Sequence, residues 1–194
     1  MTRLGWTFLG VLLFGLIGFL AMVRVNPQAP AATLPAAEAG TATVAETRTD
    51  TGHGLAIPVP GVRLDQIVDS FDDPRGGGTR RHGALDIPAP AGTPVRAAAA
   101  GMVEKLFHSE AGGNTIYIRS PDTQWIHYYA HLDSYAPHLA EGAEVRRGET
   151  IGTVGSSGNA DPAAPHLHFE VKRMAPGEAW HQGSAVDPLP LLAR

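Results

Sequence analysis

Three short segments of the chain hold residue types that can bind a metal ion and move protons. His82 and Asp86 stand four residues apart in "RRHGALD", and His131 lies in "YYAHL". His166 and His168 stand one residue apart in "HLHFEV". Imidazole and carboxylate groups are ligands of zinc, and imidazole is also the most frequent general acid or base. These residue types indicate hydrolytic metal chemistry if the fold brings the three segments together.

The segment around His82 and Asp86 disfavours a helix. Three glycines at 76–78 precede it and prolines at 88, 90 and 94 follow it, and proline breaks helices. In an extended chain, residues four apart share one side, so the imidazole and the carboxylate can converge on one point. A hydrogen-bonded surface pair is the alternative that this motif leaves open.

The segment "HLHFEV" alternates apolar and polar residues, with Leu, Phe and Val on one side and His, His and Glu on the other. A period of two predicts a half-buried strand. His166 and His168 then share its polar face. A solvated strand face is the alternative, and Glu170 is predicted to lie behind the ligands or at the surface rather than to bind metal.

The segment "WIHYYAHL" carries two histidines with different expectations. His127 shares one side with Trp125 and Tyr129 if a strand forms there, whereas His131 lies just beyond the expected strand end. Functional groups are often displayed where a regular element gives way to a loop, so His131 is a catalytic candidate. The remaining histidines are predicted to lie at the surface: His53, His108, His138 and His181.

Taken together, these residues suffice for a catalytic zinc site. Two histidines and one carboxylate leave a fourth position open for water, whereas structural zinc sites are closed by four ligands that usually include cysteine. If His82, Asp86 and either His166 or His168 bind the ion, the other of these two histidines and His131 remain beside the open position. Zinc lowers the pKa of a bound water to about 7, and imidazoles can transfer its proton to a leaving amine. Hydrolysis of an amide bond is the predicted reaction.

Composition excludes several other classes of function. The net charge is −4, without a basic tract or interleaved aromatic residues, so we expect no nucleic-acid partner. The chain has no cysteine. That rules out disulfides, thiolate catalysis, cysteine-ligated zinc and a lipid-modified cysteine.

The N-terminal region predicts export. Residues 4–23 carry no charge, and at about 1.5 Å per residue they can cross a hydrocarbon core of roughly 30 Å. We therefore expect residues 1–24 to form a single-pass anchor in the cell membrane, with a long cleaved signal peptide as the alternative. Residues 25–56 are rich in Ala, Pro and Thr and predict a disordered stalk. The domain beyond it is then on the periplasmic or extracytoplasmic side.

Residues 57–194 have the texture of a mainly β domain. Short runs rich in Val, Ile, Tyr and Phe alternate with turns that contain Gly and Pro, and the one short helix is predicted at 62–68. Strands without intervening helices indicate a sheet, sandwich or barrel. The predicted strands are 95–98, 101–107, 115–119, 124–130, 150–154 and 167–172.

The order and spacing of these motifs resemble those of the lysostaphin-type zinc metallopeptidases, the peptidoglycan endopeptidases with a LytM domain. The resemblance covers most of residues 70–171, through "RRHGALDIPAPAGTPV", "GGNTIYI", "YYAHL", "GETIGTVGSSGN" and "PHLHFEV". One departure is Ala84, which stands where the family often has glycine, two residues after the first ligand. No ligand or catalytic position is altered by it.

The resemblance implies separate roles for the two histidines of "HLH". His82, Asp86 and His168 are expected to hold one Zn²⁺ ion, while His131 and His166 are expected to be catalytic. These assignments come from the family, because spacing alone leaves the roles of His166 and His168 open.

The resemblance also implies a fold and a substrate. The fold is an antiparallel sheet with an open substrate groove, the duplicated hybrid motif, and Asn114 is expected in a loop or wall of that groove. The implied substrate is the peptide cross-link or stem of bacterial peptidoglycan. A domain of this kind that lacks enzymatic activity and activates a cell-wall amidase is the alternative.

Overall fold

A computed structural model describes residues 54–192 of the chain. The predicted anchor at 1–24 and residues 25–53 of the predicted stalk lie outside the described residues, as does His53. Within residues 54–192, no helix is long and apolar enough to cross a membrane.

The described chain consists mainly of β-strands. The two helical elements among residues 54–192 are three-residue 3₁₀ turns, at Leu64–Gln66 and Leu189–Leu191. The predicted helix at 62–68 is therefore only the first of these short turns. The strands are β1 Pro74–Arg75, β2 Arg80–Arg81, β3 Leu85–Pro88, β4 Pro94–Arg96, β5 Gly101–Ser109, β6 Gly113–Arg119, β7 Trp125–Tyr135, β8 Glu144–Val145, β9 Thr150–Val154, β10 His166–Arg173 and β11 Ser184–Val186.

Nine of these strands form one antiparallel sheet, which confirms the predicted mainly β class. Its main order is β11-β10-β7-β6-β5-β8, while β3 also pairs with β10, β9 with β7, and β4 with β9. The short strands β1 and β2 form a separate hairpin. On one side β10 pairs first with β3 and then with β11, and on the other side it pairs with β7. Strand β10 is thus the centre around which the histidine segments assemble.

Strand β10 separates an apolar face from a polar face, as its alternation predicts. Leu167, Phe169 and Val171 are buried in the hydrophobic core, where the Phe169 ring lies 5.2 Å from that of Tyr129. Burial of a side chain of this size contributes about 1.5–3 kcal/mol. That core holds the polar face of β10 in a fixed orientation.

The six strands predicted from sequence are all present, but β7 is longer than predicted. It continues to Tyr135 instead of ending near Ala130, because the chain passes through a bulge and then pairs with β9. Strands β1, β2, β3, β8 and β11 were not predicted. Each has two to four residues, which is too short for a period of two to be recognised.

Candidate metal centre and catalytic site

Strand register brings His168 and Asp86 together. His168 on β10 lies directly opposite Asp86 on β3 and opposite Ala130 on β7. His168 Nδ1 lies 3.2 Å from Asp86 Oδ1. A slip of one residue in either ladder would turn the imidazole towards the core, so the apolar alternation of β10 also specifies this contact.

His82 joins the pair from the chain just before β3. Its Nε2 atom lies 3.1 Å from Asp86 Oδ1 and 3.1 Å from His168 Nδ1. The two residues of the first motif converge as predicted, but not through a straight extended chain. Gly83 between them has φ of +75°, a left-handed conformation that glycine adopts readily, and this turn directs the imidazole back towards the carboxylate.

These three donor atoms fit one zinc ion. They lie within 4.8 Å of one another, and two nitrogens with one oxygen are a typical protein ligand set for catalytic zinc. His82 Nδ1 lies 3.0 Å from the Ser70 carbonyl oxygen. A carbonyl only accepts, so Nδ1 carries a proton, and in the neutral ring Nε2 offers its lone pair to a metal ion held by the three residues.

Ser70 and Arg75 hold Asp86 in place. The backbone N–H of Asp86 donates to Ser70 Oγ at 3.2 Å, and Arg75 donates to Asp86 Oδ2 at 3.0 Å. Burial acts to raise the pKa of Asp86, but hydrogen bonds and charges from His168 and His82 outweigh it and hold that pKa well below its usual range. The carboxylate is therefore ionised and has one oxygen committed to Arg75 and the other to the histidines.

His131 reaches the same face through a bulge in β7. Asn114 pairs with Leu132 and Ile116 with Tyr129, so β7 has one more residue than β6 between these pairs. His131 itself has φ of +59°, and its N–H donates to the Gly112 oxygen at 2.8 Å. Bulges re-aim side chains in this way. The prediction of His131 at a strand end is corrected: it lies within β7, at an irregular point.

Two imidazoles have the same tautomer beside the cluster. His131 Nδ1 donates to the Ser157 oxygen at 2.9 Å, and His166 Nδ1 donates to the Ala164 oxygen at 2.9 Å. In the neutral form of each ring, Nε2 therefore carries the lone pair. The two ring centroids are 5.0 Å apart, and His166 Nε2 lies 3.7 Å from Asp86 Oδ1. This pair can accept and donate protons next to the three candidate ligands.

Burial disfavours the charged form of two of the site histidines, His131 and His168. It lowers the pKa of His131, and the charges of His168 and His166 act in the same direction, against the hydrogen bond to Ser157. It also lowers the pKa of His168, against the attraction of Asp86. Neutral imidazole is the form that binds metal and that accepts a proton.

Asn114 supports the bulge rather than forming part of the cluster. Its side-chain amide donates to the carbonyl oxygens of Leu132 at 3.1 Å and Asp133 at 3.2 Å. Its backbone N–H donates to Ser157 Oγ at 2.9 Å. The loops before β6 and after β9 are thus bonded to each other behind His131.

The contact between these two loops is a close approach of backbones. Asn159 N–H donates to the Ala111 oxygen at 3.1 Å. Gly158, with φ of +75°, has no room for a side chain, because a Cβ atom there would overlap the Gly113 nitrogen. We call this contact the loop clasp, comprising residues 111–114 and 157–159.

The other histidines stay apart from the site. His127 is buried on the core side of β7, and burial lowers its pKa to about 4. His108, His138 and His181 are exposed, as predicted, although His108 lies in strand β5 rather than in a turn. Glu170 lies on the polar face of β10 beside Lys172, and burial raises the pKa of its carboxyl.

All five predicted residues surround one polar cleft of about 300 Å³. Sequence reasoning missed the residues that orient them, above all Ser70, Arg75 and Ser157. Their contacts join residues 11 or more positions apart in the chain, and no local pattern marks such pairs. The cleft is lined by Arg75, Arg80, His82, Asp86, His131, Asn159, Ala160, Asp161, His166 and His168.

The similarity of the chain to known proteins agrees with this geometry. Residues 80–188 match peptidase family M23, which is more than half of the chain, and the chain belongs to this family. The L-Ala–D-Glu endopeptidase of Bacillus subtilis (strain 168) is 37% identical over 144 residues, covering 71% of this chain and 42% of the relative. The chain thus spans less than half the length of that relative.

Two solved structures support the fold and the predicted resemblance. Helicobacter pylori Csd3 superposes with a TM-score of 0.57 at 26% identity, over 74% of this chain and 36% of Csd3. The catalytic domain of the antimicrobial peptidase lysostaphin from Staphylococcus simulans superposes with a TM-score of 0.50 at 29% identity, over 72% of this chain and 88% of that domain. The lysostaphin-type fold predicted from the motifs is confirmed.

Proposed function

We propose that the chain is a zinc-dependent endopeptidase that hydrolyses amide bonds in the peptide cross-links or stems of bacterial peptidoglycan. One observation carries the proposal: His82, Asp86 and His168 present three donor atoms within 4.8 Å of one another, and the rings of His131 and His166 line the same cleft. When bound, zinc supplies a Lewis acid that polarises the scissile carbonyl and acidifies water.

The two remaining imidazoles supply the proton transfers. His131 and His166 each hold a proton on Nδ1 through a backbone carbonyl, so each offers Nε2 as a base. One Nε2 takes the proton of the attacking water and, as an acid, returns it to the amine nitrogen as the C–N bond breaks. Their separation of 5.0 Å between ring centroids lets both contact a single scissile amide.

The substrate and the location are proposed together. The similarity to an L-Ala–D-Glu endopeptidase supports a stem or cross-link amide as the bond that is cut. An enzyme with this substrate works in the cell envelope, in keeping with the predicted anchor at 1–24 and stalk at 25–56. The non-enzymatic amidase activator is not favoured, because none of the five ligand and catalytic positions is altered.

Metal analysis combined with digestion tests this proposal. The purified full chain is expected to carry one zinc ion per molecule and to release muropeptides from purified sacculi, which mass spectrometry identifies by the bond cut. A chelator should abolish release and added zinc should restore it. Zinc-free protein that releases nothing, yet stimulates an amidase, would overturn the enzyme assignment in favour of the activator.

A further inference from the structure

The β1–β2 hairpin places two arginines directly opposite each other beside the cleft. Arg75 on β1 is the cross-strand partner of Arg80 on β2, and both line the cleft that contains the three candidate ligands. Like charges directly opposite in an antiparallel pair destabilise it. Asp86 offsets the charge of Arg75, and an anion that binds Arg80 would offset the other charge.

Charge pairing around the hairpin leaves one guanidinium without a partner. Arg75 is bonded to Asp86 at 3.0 Å, and Arg81 to Asp72 at 2.7 Å. The Arg80 side chain is exposed and makes no hydrogen bond or ion pair with any residue from 54 to 192. Of the three neighbouring arginines, only Arg80 both lines the cleft and is free to bind another group.

The carboxylates of the cleft do not compete for Arg80. Asp86 is committed to His82, His168 and Arg75. Asp161 lies in the loop after β9, where its Oδ1 accepts the N–H of Ala163 at 2.8 Å. Arg80 therefore lines the cleft without an ion pair to either of these carboxylates and is available to a group that enters it.

We infer that Arg80 is a specificity-determining residue that binds a free carboxylate of the substrate close to the scissile amide. The inference rests on the proposed function and narrows its substrate class. A guanidinium presents a planar set of N–H donors that matches a carboxylate in two parallel hydrogen bonds. The preferred substrate is thus an acidic peptide rather than a neutral one.

Peptidoglycan offers both kinds of peptide. A γ-linked D-glutamyl residue leaves its α-carboxyl group free, and a diaminopimelyl residue in a cross-link also keeps a free carboxyl group. An oligoglycine bridge has none. Amidation of the D-glutamyl or diaminopimelyl carboxyl removes the charge while leaving the backbone unchanged, and so gives a matched pair of substrates.

The test compares the kinetics of the full chain on such a pair, a synthetic stem peptide with free carboxyl groups and its carboxamide form. Arg80→Gln is expected to raise KM about 10- to 100-fold on the acidic peptide, the range for loss of a charge-assisted hydrogen bond, with kcat nearly unchanged. On the carboxamide the variant should equal the wild type. On the acidic peptide, the KM of Arg80→Lys should lie between those of the wild type and Arg80→Gln, because the positive charge remains and the planar set of donors is lost.

Arg81→Gln is the matched control, since this neighbouring arginine pairs with Asp72 outside the cleft; it should behave as wild type on both peptides. The inference is overturned if wild type cleaves both peptides equally well, or if Arg80→Gln weakens both to the same extent. If wild type cleaves neither peptide and no sacculus, the proposed function itself fails, and this inference with it.

Discussion

His127 and His131 lie four residues apart on β7 and are both buried, yet their surroundings are opposite. His127 belongs to the core side, and its Nδ1 has no hydrogen-bond partner among residues 54–192. His131 faces the cleft, donates Nδ1–H to the Ser157 oxygen and lies 5.0 Å from the ring of His166. The same side chain on the same strand is inert in one place and suited to proton transfer in the other.

One extra residue in the strand produces this difference. Regular alternation would put residues 127, 129 and 131 on one face, and His127 and Tyr129 do lie on the core side. The bulge at His131 moves the third residue to the opposite face, and Leu132 takes its place in the core. Residue type and burial therefore do not identify a catalytic histidine; the bulge and the partner of Nδ1 do.

Removal of a proposed ligand should have the largest effect. His168→Ala deletes one of the three donor atoms of the cluster, so zinc binding and activity should be lost together. The expected loss of activity is at least about 10⁴-fold, because enzymes gain about 10⁶-fold or more over the uncatalysed reaction. Zinc content and muropeptide release are measured on the same sample, with circular dichroism as the control for folding. Full zinc content in this variant would show that His168 is not a ligand.

Removal of His131 should separate catalysis from metal binding. His131→Ala is expected to retain one zinc ion while turnover falls about 10²–10⁴-fold, the usual contribution of general acid–base catalysis. His127→Phe is the matched control on the same strand and should keep both zinc and turnover near neutral pH. If the His131 variant loses its zinc instead, the roles of ligand and catalyst have been exchanged.

His127, the core-side histidine of β7, should affect the stability of the fold rather than catalysis. In the folded protein His127 remains neutral down to about pH 4, whereas in the unfolded chain it takes up a proton below about pH 6.5. Between these pH values the unfolded state binds more protons than the folded state. The contribution of His127 to the free energy of unfolding is therefore fully present above pH 6.5 and decreases as the pH falls to 4. The free energy of unfolding is expected to fall by about 3 kcal/mol over this range through His127.

Urea unfolding at several pH values measures this loss. His127→Phe should reduce the dependence of the unfolding free energy on pH between pH 6.5 and 4, because the substituted ring does not titrate. His181→Phe, at an exposed position, should retain the wild-type dependence. An unchanged slope in the His127 variant would assign the pH dependence to other groups.

The smallest effect on activity is expected when the hydrogen bonds that support the bulge in β7 are removed. Asn114→Ala removes two hydrogen bonds to the carbonyl oxygens of residues 132 and 133, so His131 should be held less firmly. We expect kcat to fall roughly 10-fold with zinc content unchanged, as is typical when a group that orients a catalytic residue is lost. His108→Ala is the control, since it removes only the contact with Asn114 Oδ1. Equal effects of the two substitutions would mean that the bulge does not depend on Asn114.

Local patterns predicted the parts of this molecule that obey a regular period. The alternation in "HLHFEV" correctly assigned His166 and His168 to one face, since a buried apolar set leaves only one orientation for β10. The bulge in "YYAHLD" was not predictable in the same way. It contains no glycine, and the left-handed conformation falls on a histidine, so only pairing with β6 and β9 reveals it.

Local patterns could not predict that the histidine and aspartate motifs meet in space. That His82, Asp86 and His168 meet follows from the β3–β10 register, and β3 has four residues that end at a proline. No sequence pattern predicted this strand; resemblance to a family supplied the contact. Ser70 and Ser157 act through single backbone or hydroxyl oxygens, and residues of this type are frequent in loops whatever their role.

The loop clasp has a consequence for attempts to graft new specificity onto this scaffold. Because Gly158 meets the backbone of Gly113 without space for a Cβ atom, segments 111–114 and 157–159 form a single exchangeable module. A transplant of one segment without the other would separate the Ser157 carbonyl from His131 and so disable the recipient. Longer inserts belong at residues 160 and 161, which lie beyond the loop clasp and border the cleft.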